Sequence, residues 1–305
     1  MDGNAAVIFS SGYECDIGPH VFPMRKFRML LDRLVAAGAM APADVLEPGP
    51  ASAEQLLRVH EAKYLDDLEH LRWSPRTSVS ELPLSAEIVH AYRLAAGGTV
   101  LAGREAMARG AAVNLGGGFH HAFADHAEGF CYLNDLAVAA RERTDAGVSR
   151  VAIVDLDVHQ GNGTAKIFEG DPQVFTLSIH QERNYPVPKQ QSSLDVGLDD
   201  GTGDGEYLEA LDRALEQVWS FGPALLLYQA GADPYREDQL GGLKLSFEGL
   251  EQRDRRVIEG SRTRRIPVAV TLGGGYARNV EDTVRIHETT CRLALGAGAN
   301  AGRAE

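Results

Sequence analysis

Val151-Ala152-Ile153-Val154-Asp155-Leu156-Asp157-Val158-His159-Gln160-Gly161-Asn162-Gly163 begins as an unbroken apolar run and then turns polar. An apolar run without polar alternation reads as a strand buried on both faces, as in a parallel sheet. If the extended conformation continues to His159, side chains alternate, so Asp155, Asp157 and His159 point to one side while Leu156 and Val158 point to the other. Unpaired carboxylates at the end of an apolar strand are costly, and a divalent cation is the usual compensation. A hydrogen-bonded Asp pair in a turn is the alternative reading.

Working outward, five further segments have the same apolar character: Ala6 to Phe9, Ala111 to Leu115, Val174 to Leu177, Ala224 to Tyr228 and Pro267 to Thr271. Between them lie helical patterns over Met24 to Ala37, Ala86 to Arg109, Gly129 to Arg143, Glu206 to Trp219, Ser246 to Glu259 and Glu281 to Leu295. This alternation predicts an α/β fold, an open and mostly parallel sheet with helices on both faces. The loops at strand ends, Gly116 to His121, Asp155 to Asn162, Ser178 to Asp204, Gly231 to Gly242 and Gly273 to Tyr276, hold nearly all the unusual polar residues. Ligands bind outside the carboxyl ends of such strands, so these loops are the predicted site.

The bulk properties narrow the class. A chain of 305 residues with 44% hydrophobic side chains can bury a large core, and residues 1–305 read as a single domain whose Gly/Ala-rich end, 296–305, frays. No stretch approaches the ~20 apolar residues of a membrane span, and the first residues lack a secretory pattern, so a soluble, cytoplasmic protein is expected. Cys15, Cys131 and Cys291 are too few and too scattered for a disulfide framework or a thiolate zinc site, and are expected to be reduced and buried. Thirty basic against 43 acidic residues give a formal charge of −13, which repels nucleic acid phosphates and suits a cationic partner.

Three more segments carry chemistry. Leu225-Leu226-Leu227-Tyr228-Gln229-Ala230-Gly231-Ala232-Asp233 delivers one Asp beyond another apolar strand. With Asp157 and His159 it makes an O/N/O ligand set that leaves a position open, as catalytic zinc requires, although an Asp before Pro234 is also an ordinary turn residue. Asn114-Leu115-Gly116-Gly117-Gly118-Phe119-His120-His121 pairs two imidazoles, able to accept and donate protons near neutral pH, with a glycine run that admits close approach. Leu272-Gly273-Gly274-Gly275-Tyr276 presents one phenol, which can stabilise an oxyanion or simply pack at the rim.

Taken together, NLGGGFHH, GFCYLND, DLDVHQGNG, AGAD, DQLGGL and LGGGY resemble, in order and over most of the chain, the zinc-dependent histone deacetylase family of the arginase/deacetylase-like fold. The resemblance implies that Asp157, His159 and Asp233 bind zinc. It implies that His121 is the general base and later acid, that His120 assists electrostatically, and that Tyr276 polarises the scissile carbonyl. It further implies that Asp155 partners His120 and, with main-chain groups around Asp157, His159, Ser178 and Ile179, forms a structural K⁺ or Na⁺ site. Gly129, Phe130, Tyr185, Gly274 and Gly275 would shape the acyl-lysine tunnel. Where the best-known branch places a carboxylate beside the second histidine, this chain has Asn162, so His121 is easier to keep neutral. Asn162 and DQLGGL bring the chain nearer the compact class IV branch and its bacterial relatives.

Three rivals bear on the reading. A binuclear manganese ureohydrolase needs more carboxylates than Gly161 and Pro234-Tyr235 provide. An acetylpolyamine amidohydrolase would keep the same ligands, so an acylated polyamine stands beside an acyl-lysine protein or peptide as substrate. A non-catalytic acyl-lysine binding module would not need the full set of ligands, His121 and Tyr276. Zinc and ferrous iron both suit O/N/O ligands, and the oligomeric state is left open.

Overall fold

A computed structural model describes residues 5–296; the expected tail from residue 297 onward lies outside the described residues. Eight strands form one sheet: β1 (Ala6–Ile8), β2 (Val45–Leu46), β3 (Ala111–Asn114), β4 (Val151–Asp155), β5 (Val174–Gln181), β6 (Leu194–Leu198), β7 (Leu225–Gln229) and β8 (Val268–Thr271). Their spatial order is β2-β1-β3-β8-β7-β4-β5-β6 and every pairing is parallel. The central strands β4, β7 and β8 are wholly buried, as a parallel sheet covered on both faces demands.

The helices are α1 (Lys26–Ala36), α2 (Ala53–Leu57), α3 (Ala62–Glu69), α4 (Ala86–Arg109), α5 (Asp135–Asp145), α6 (Asn162–Ile167), α7 (Asp204–Phe221), α8 (Phe247–Thr263) and α9 (Val280–Ala294). They fall into two layers. In one, α4 packs on α5 and against β1, β3 and β8; in the other, α7, α8 and α9 follow one another and α1 packs on α9. Among the described residues no helix is long and apolar enough to cross a membrane. All three cysteines are free and buried.

Three expectations need correction. The strand after Val151 stops at Asp155, and the chain bends through Asp157 to His159 rather than remaining extended. The helix expected from Gly129 begins at Asp135, where the Asn134 side chain caps it by accepting from the Ala137 N–H; Gly129 and Phe130 instead have φ of 49° and 62°. The segment Ser178 to Asp204 is not one long loop, because β5 runs through Gln181 and Leu194–Leu198 adds a further strand at the sheet edge.

Because all strands run the same way, their carboxyl ends share one edge. There Asn114, Thr271, Gln229, Asp155 and Ser178 stand in register as one buried polar row across five strands. The loops leaving this row carry the residues of the site.

Candidate active site

Asp157, His159 and Asp233 are buried together beyond β4 and β7, with one ligand atom from each lying within 4.8 Å of the others. Asp157 Oδ1 accepts from the main-chain N–H of His159 at 3.1 Å and lies 3.0 Å from its Nδ1. Asp157 Oδ2 accepts from Gln229 Nε2 at 2.8 Å and from the Gly274 N–H at 3.1 Å. Asp233 Oδ1 accepts from the Val158 N–H at 2.8 Å, whereas its Oδ2, fully buried, has no hydrogen-bond partner and lies 3.4 Å from His159 Nδ1.

That arrangement calls for positive charge. Burial, and then the Asp157 carboxylate, push Asp233 up to about 7. Burial opposes charge on His159, but the adjacent Asp157 and Asp233 carboxylates raise it to about 10, so the two acids draw positive charge to this spot. An orphaned carboxylate oxygen, two acids and one imidazole with a free approach fit a divalent metal. Gly274 leaves room beside both carboxylates: a Cβ there would stand 2.1 Å from Asp233 Oδ2 and 2.6 Å from Asp157 Oδ2.

The histidine pair follows β3. His120 Nδ1 lies 2.6 Å from Asp155 Oδ2, and its Nε2 lies 3.0 Å from His121 Nε2. Burial opposes charge on His120, but Asp155 and Asp157 raise it to about 9. His121 is the opposite case, lowered well below the usual histidine range by burial and by the charges of His120 and His159. Its Nδ1 lies 2.7 Å from Asn162 Oδ1. One histidine is therefore held charged and its neighbour neutral, a division suited to general acid–base work.

A cavity of about 190 Å³ opens onto these groups, lined by Glu81, His121, Gly129, Phe130, His159, Asn184, Tyr185, Leu240 and Tyr276. Its rings stand edge to face: Tyr185 against His121 at 5.0 Å, and Tyr276 against Phe130 at 6.2 Å and His159 at 6.4 Å. Burial, and then Asp157 and Asp233, hold the Tyr276 phenol well above its ordinary range, so it stays a donor. Its main-chain N–H donates to Asp238 Oδ2 at 2.7 Å, and its carbonyl accepts from Gln239 Nε2 at 2.8 Å.

The structure thus brings Asp157, His159, Asp233, His120, His121, Asp155, Asn162, Phe130, Tyr185 and Tyr276 to one strand edge. Gly274 lies behind the cavity against the two carboxylates, and Gly275 faces Thr283 and Ala232, so neither stands on the wall expected of it. Ser178 and Ile179 lie on β5, where the Ser178 hydroxyl is 2.9 Å from His180 Nδ1. Sequence reasoning passed over Gln229, Glu128, Asp238 and Glu81. Gln229 had a readable signal, an amide closing an apolar strand in the same row as Asp155.

Comparison with known proteins agrees with this geometry. A family model described as "Histone deacetylase domain" matches residues 20–291. An uncharacterized protein of Picosynechococcus is 43% identical, over 90% of this chain and 93% of that one. Histone deacetylase 2 of Arabidopsis thaliana is 34% identical, over 92% of this chain and 77% of its own length. The solved structure of an HDAC homologue from Aquifex aeolicus superimposes with a TM-score of 0.82 at 28% identity, covering 95% of this chain and 84% of that one. The chain belongs to the histone deacetylase family, whose members are hydrolases of acyl-amide bonds.

Proposed function

We propose that the protein removes the acyl group from acyl-lysine side chains, with Asp157, His159 and Asp233 holding zinc, His121 as general base and then acid, and Tyr276 as the oxyanion donor. The observation that carries this reading is the cavity itself, in which neutral His121, phenolic Tyr276 and His159 of the buried Asp157–His159–Asp233 group meet. When bound, zinc supplies Lewis acidity toward the amide carbonyl and the attacking water. His121 Nε2 takes the proton of that water, with Nδ1 braced by Asn162. Charged His120, anchored on Asp155, stabilises negative charge as it develops nearby. The Tyr276 hydroxyl donates to the forming oxyanion, and His121 returns its proton to the departing amine. The flanking rings of Phe130 and Tyr185 leave a slot suited to an extended alkyl chain.

Main-chain groups around Asp155, Asp157, His159, Ser178 and Ile179 are assigned a structural K⁺ or Na⁺ in the same reading. An acylated polyamine is the second reading, favoured by Glu81, which lines the same cavity and offers a counter-charge to a distal ammonium. The test is hydrolysis of acetyl-lysine peptide, long-chain acyl-lysine peptide and acetylputrescine by wild type and His121→Ala, with and without chelator. Chelator-sensitive turnover of a peptide, lost in the variant, is expected. Preference for acetylputrescine would transfer the assignment to polyamines, and no turnover by zinc-loaded protein would sink the deacylase reading.

A further inference from the structure

The hydrogen bonds behind His121 do not end at Asn162. Asn162 Nδ2 donates to Glu128 Oε1 at 2.6 Å, and the same oxygen accepts from the Tyr185 hydroxyl at 2.8 Å. The other carboxylate oxygen lies 3.5 Å from His126 Nε2. Glu128 is itself fixed at the base of a tight turn: its N–H donates to the Cys131 carbonyl at 3.0 Å, and the Cys131 N–H donates back at 2.8 Å. The turn between them carries Gly129 and Phe130, both on the cavity wall.

An Asn side chain can present either its carbonyl or its amino end to a neighbour, and a neutral imidazole Nδ1 can either donate or accept. The Asn162–His121 contact alone therefore fixes neither partner. A carboxylate only accepts. Glu128 accordingly turns the amino end of Asn162 toward itself and the carbonyl end toward His121. Facing a carbonyl, Nδ1 of His121 must carry the hydrogen, which leaves Nε2 as an acceptor at the cavity, with His120 Nε2 3.0 Å away as its resting partner.

We infer that Glu128 is a positioning residue: by accepting from Asn162 it fixes, from the Nδ1 side as His120 does from the Nε2 side, the His121 tautomer able to take a proton, and through the same oxygen it ties the Tyr185 wall to that base. The inference rests on the proposed role of His121. It also answers the absence of a carboxylate beside that histidine, since the acid stands one residue further out, with an amide between that cannot relay a proton.

The experiment inverts the polarity at position 128. Glu128→Gln keeps an acceptor oxygen for both bonds, Glu128→Ala offers nothing, and Glu128→Lys offers only donors; the side chain is partly exposed, so each can be accommodated. The His121 tautomer is read by ¹⁵N NMR on substrate-free protein, assigned by the signal missing in His121→Ala, beside kcat and KM for the best substrate. Nδ1–H is expected in wild type and Glu128→Gln, and a measurable shift toward Nε2–H in Glu128→Lys, opposed by the His120 contact. Relative to wild type, kcat should fall about tenfold or more in Glu128→Ala and further in Glu128→Lys, and recover in Glu128→Gln. Wild-type tautomer and kcat in Glu128→Lys, or in Glu128→Ala should the lysine variant not fold, would overturn the inference, as would a glutamine variant no better than alanine. A wild type that turns over none of the acylated amines sinks the parent reading instead, while the tautomer comparison still decides this one.

Discussion

Tyr276 and His121 face the same small volume for opposite electrostatic reasons. The carboxylates of Asp157 and Asp233, with burial, keep the phenol protonated, whereas the charges of His120 and His159, with burial, keep the imidazole neutral. Each is therefore already in the form that its proposed role needs. Removing one well-aimed oxyanion donor typically costs ~10²–10³ in kcat. Tyr276→Phe should show a loss of that order while KM and the melting temperature change little, because the main chain at 276 is held by Asp238 and Gln239 rather than by the hydroxyl. Unchanged steady-state turnover in the variant would remove Tyr276 from the chemistry. The residues that sequence made legible, Asp157, His159, Asp233, His120, His121 and Tyr276, are those whose polarity is out of place beside apolar strands and glycine runs. Glu128 was not legible, because a lone acid in a polar loop looks like any solvated charge until the turn aims it.

At the scale of elements, legibility followed burial. The strands covered on both faces announced themselves as apolar runs, and α4 was bounded by Ser85, whose side chain accepts from the Ile88 N–H, and by Gly110. The edge strands β2 and β6 were not read, since an edge strand pairs on one side only and β6 alternates exposed with half-buried positions before ending on buried Leu198. Nor was the late start of α5, where consecutive positive φ values and the Asn134 cap override a helical pattern. A helix interior also conceals what its glycines are for. Replacing a mid-helix glycine by alanine ordinarily gains up to ~1 kcal/mol. At Gly97 in α4, however, a Cβ would stand 1.9 Å from the Gly49 carbonyl oxygen, a main-chain atom that cannot swing aside. Overpacking of this kind costs roughly 1–3 kcal/mol, so Gly97→Ala should lower the urea midpoint despite its better propensity. A rise would mean that the 49–51 loop yields freely.

For the whole molecule, the buried charges make stability depend on what the solvent supplies. A metal held by Asp157, His159 and Asp233 in the native state alone stabilises by about 2.7 kcal/mol when free metal is a hundredfold above its dissociation constant. Zinc should therefore raise the melting temperature, chelator should reverse the rise, and Asp233→Asn should abolish it. Protons act in the other direction at His60, far along the chain from those ligands. His60 Nδ1 lies 2.9 Å from the Phe123 carbonyl and its Nε2 accepts from the Asn134 N–H at 3.1 Å, so both ring nitrogens are committed to the neutral form, and burial lowers its pKa to about 4. In the unfolded chain a histidine binds a proton below about 6.5. Between about 6.5 and 4 the unfolded state therefore holds the proton and the native state does not, so His60's contribution is complete above that window and drains away as pH falls, by about 1.4 kcal/mol per unit. His60→Gln lacks the titration. Its urea-unfolding free energy should lie below that of wild type at pH 7, and the gap should narrow by about 2 kcal/mol at pH 5. A gap that stays constant between the two pH values would show that the folded protein accommodates the imidazolium, and that the loops carrying Phe123 and Asn134 do not depend on the neutral ring.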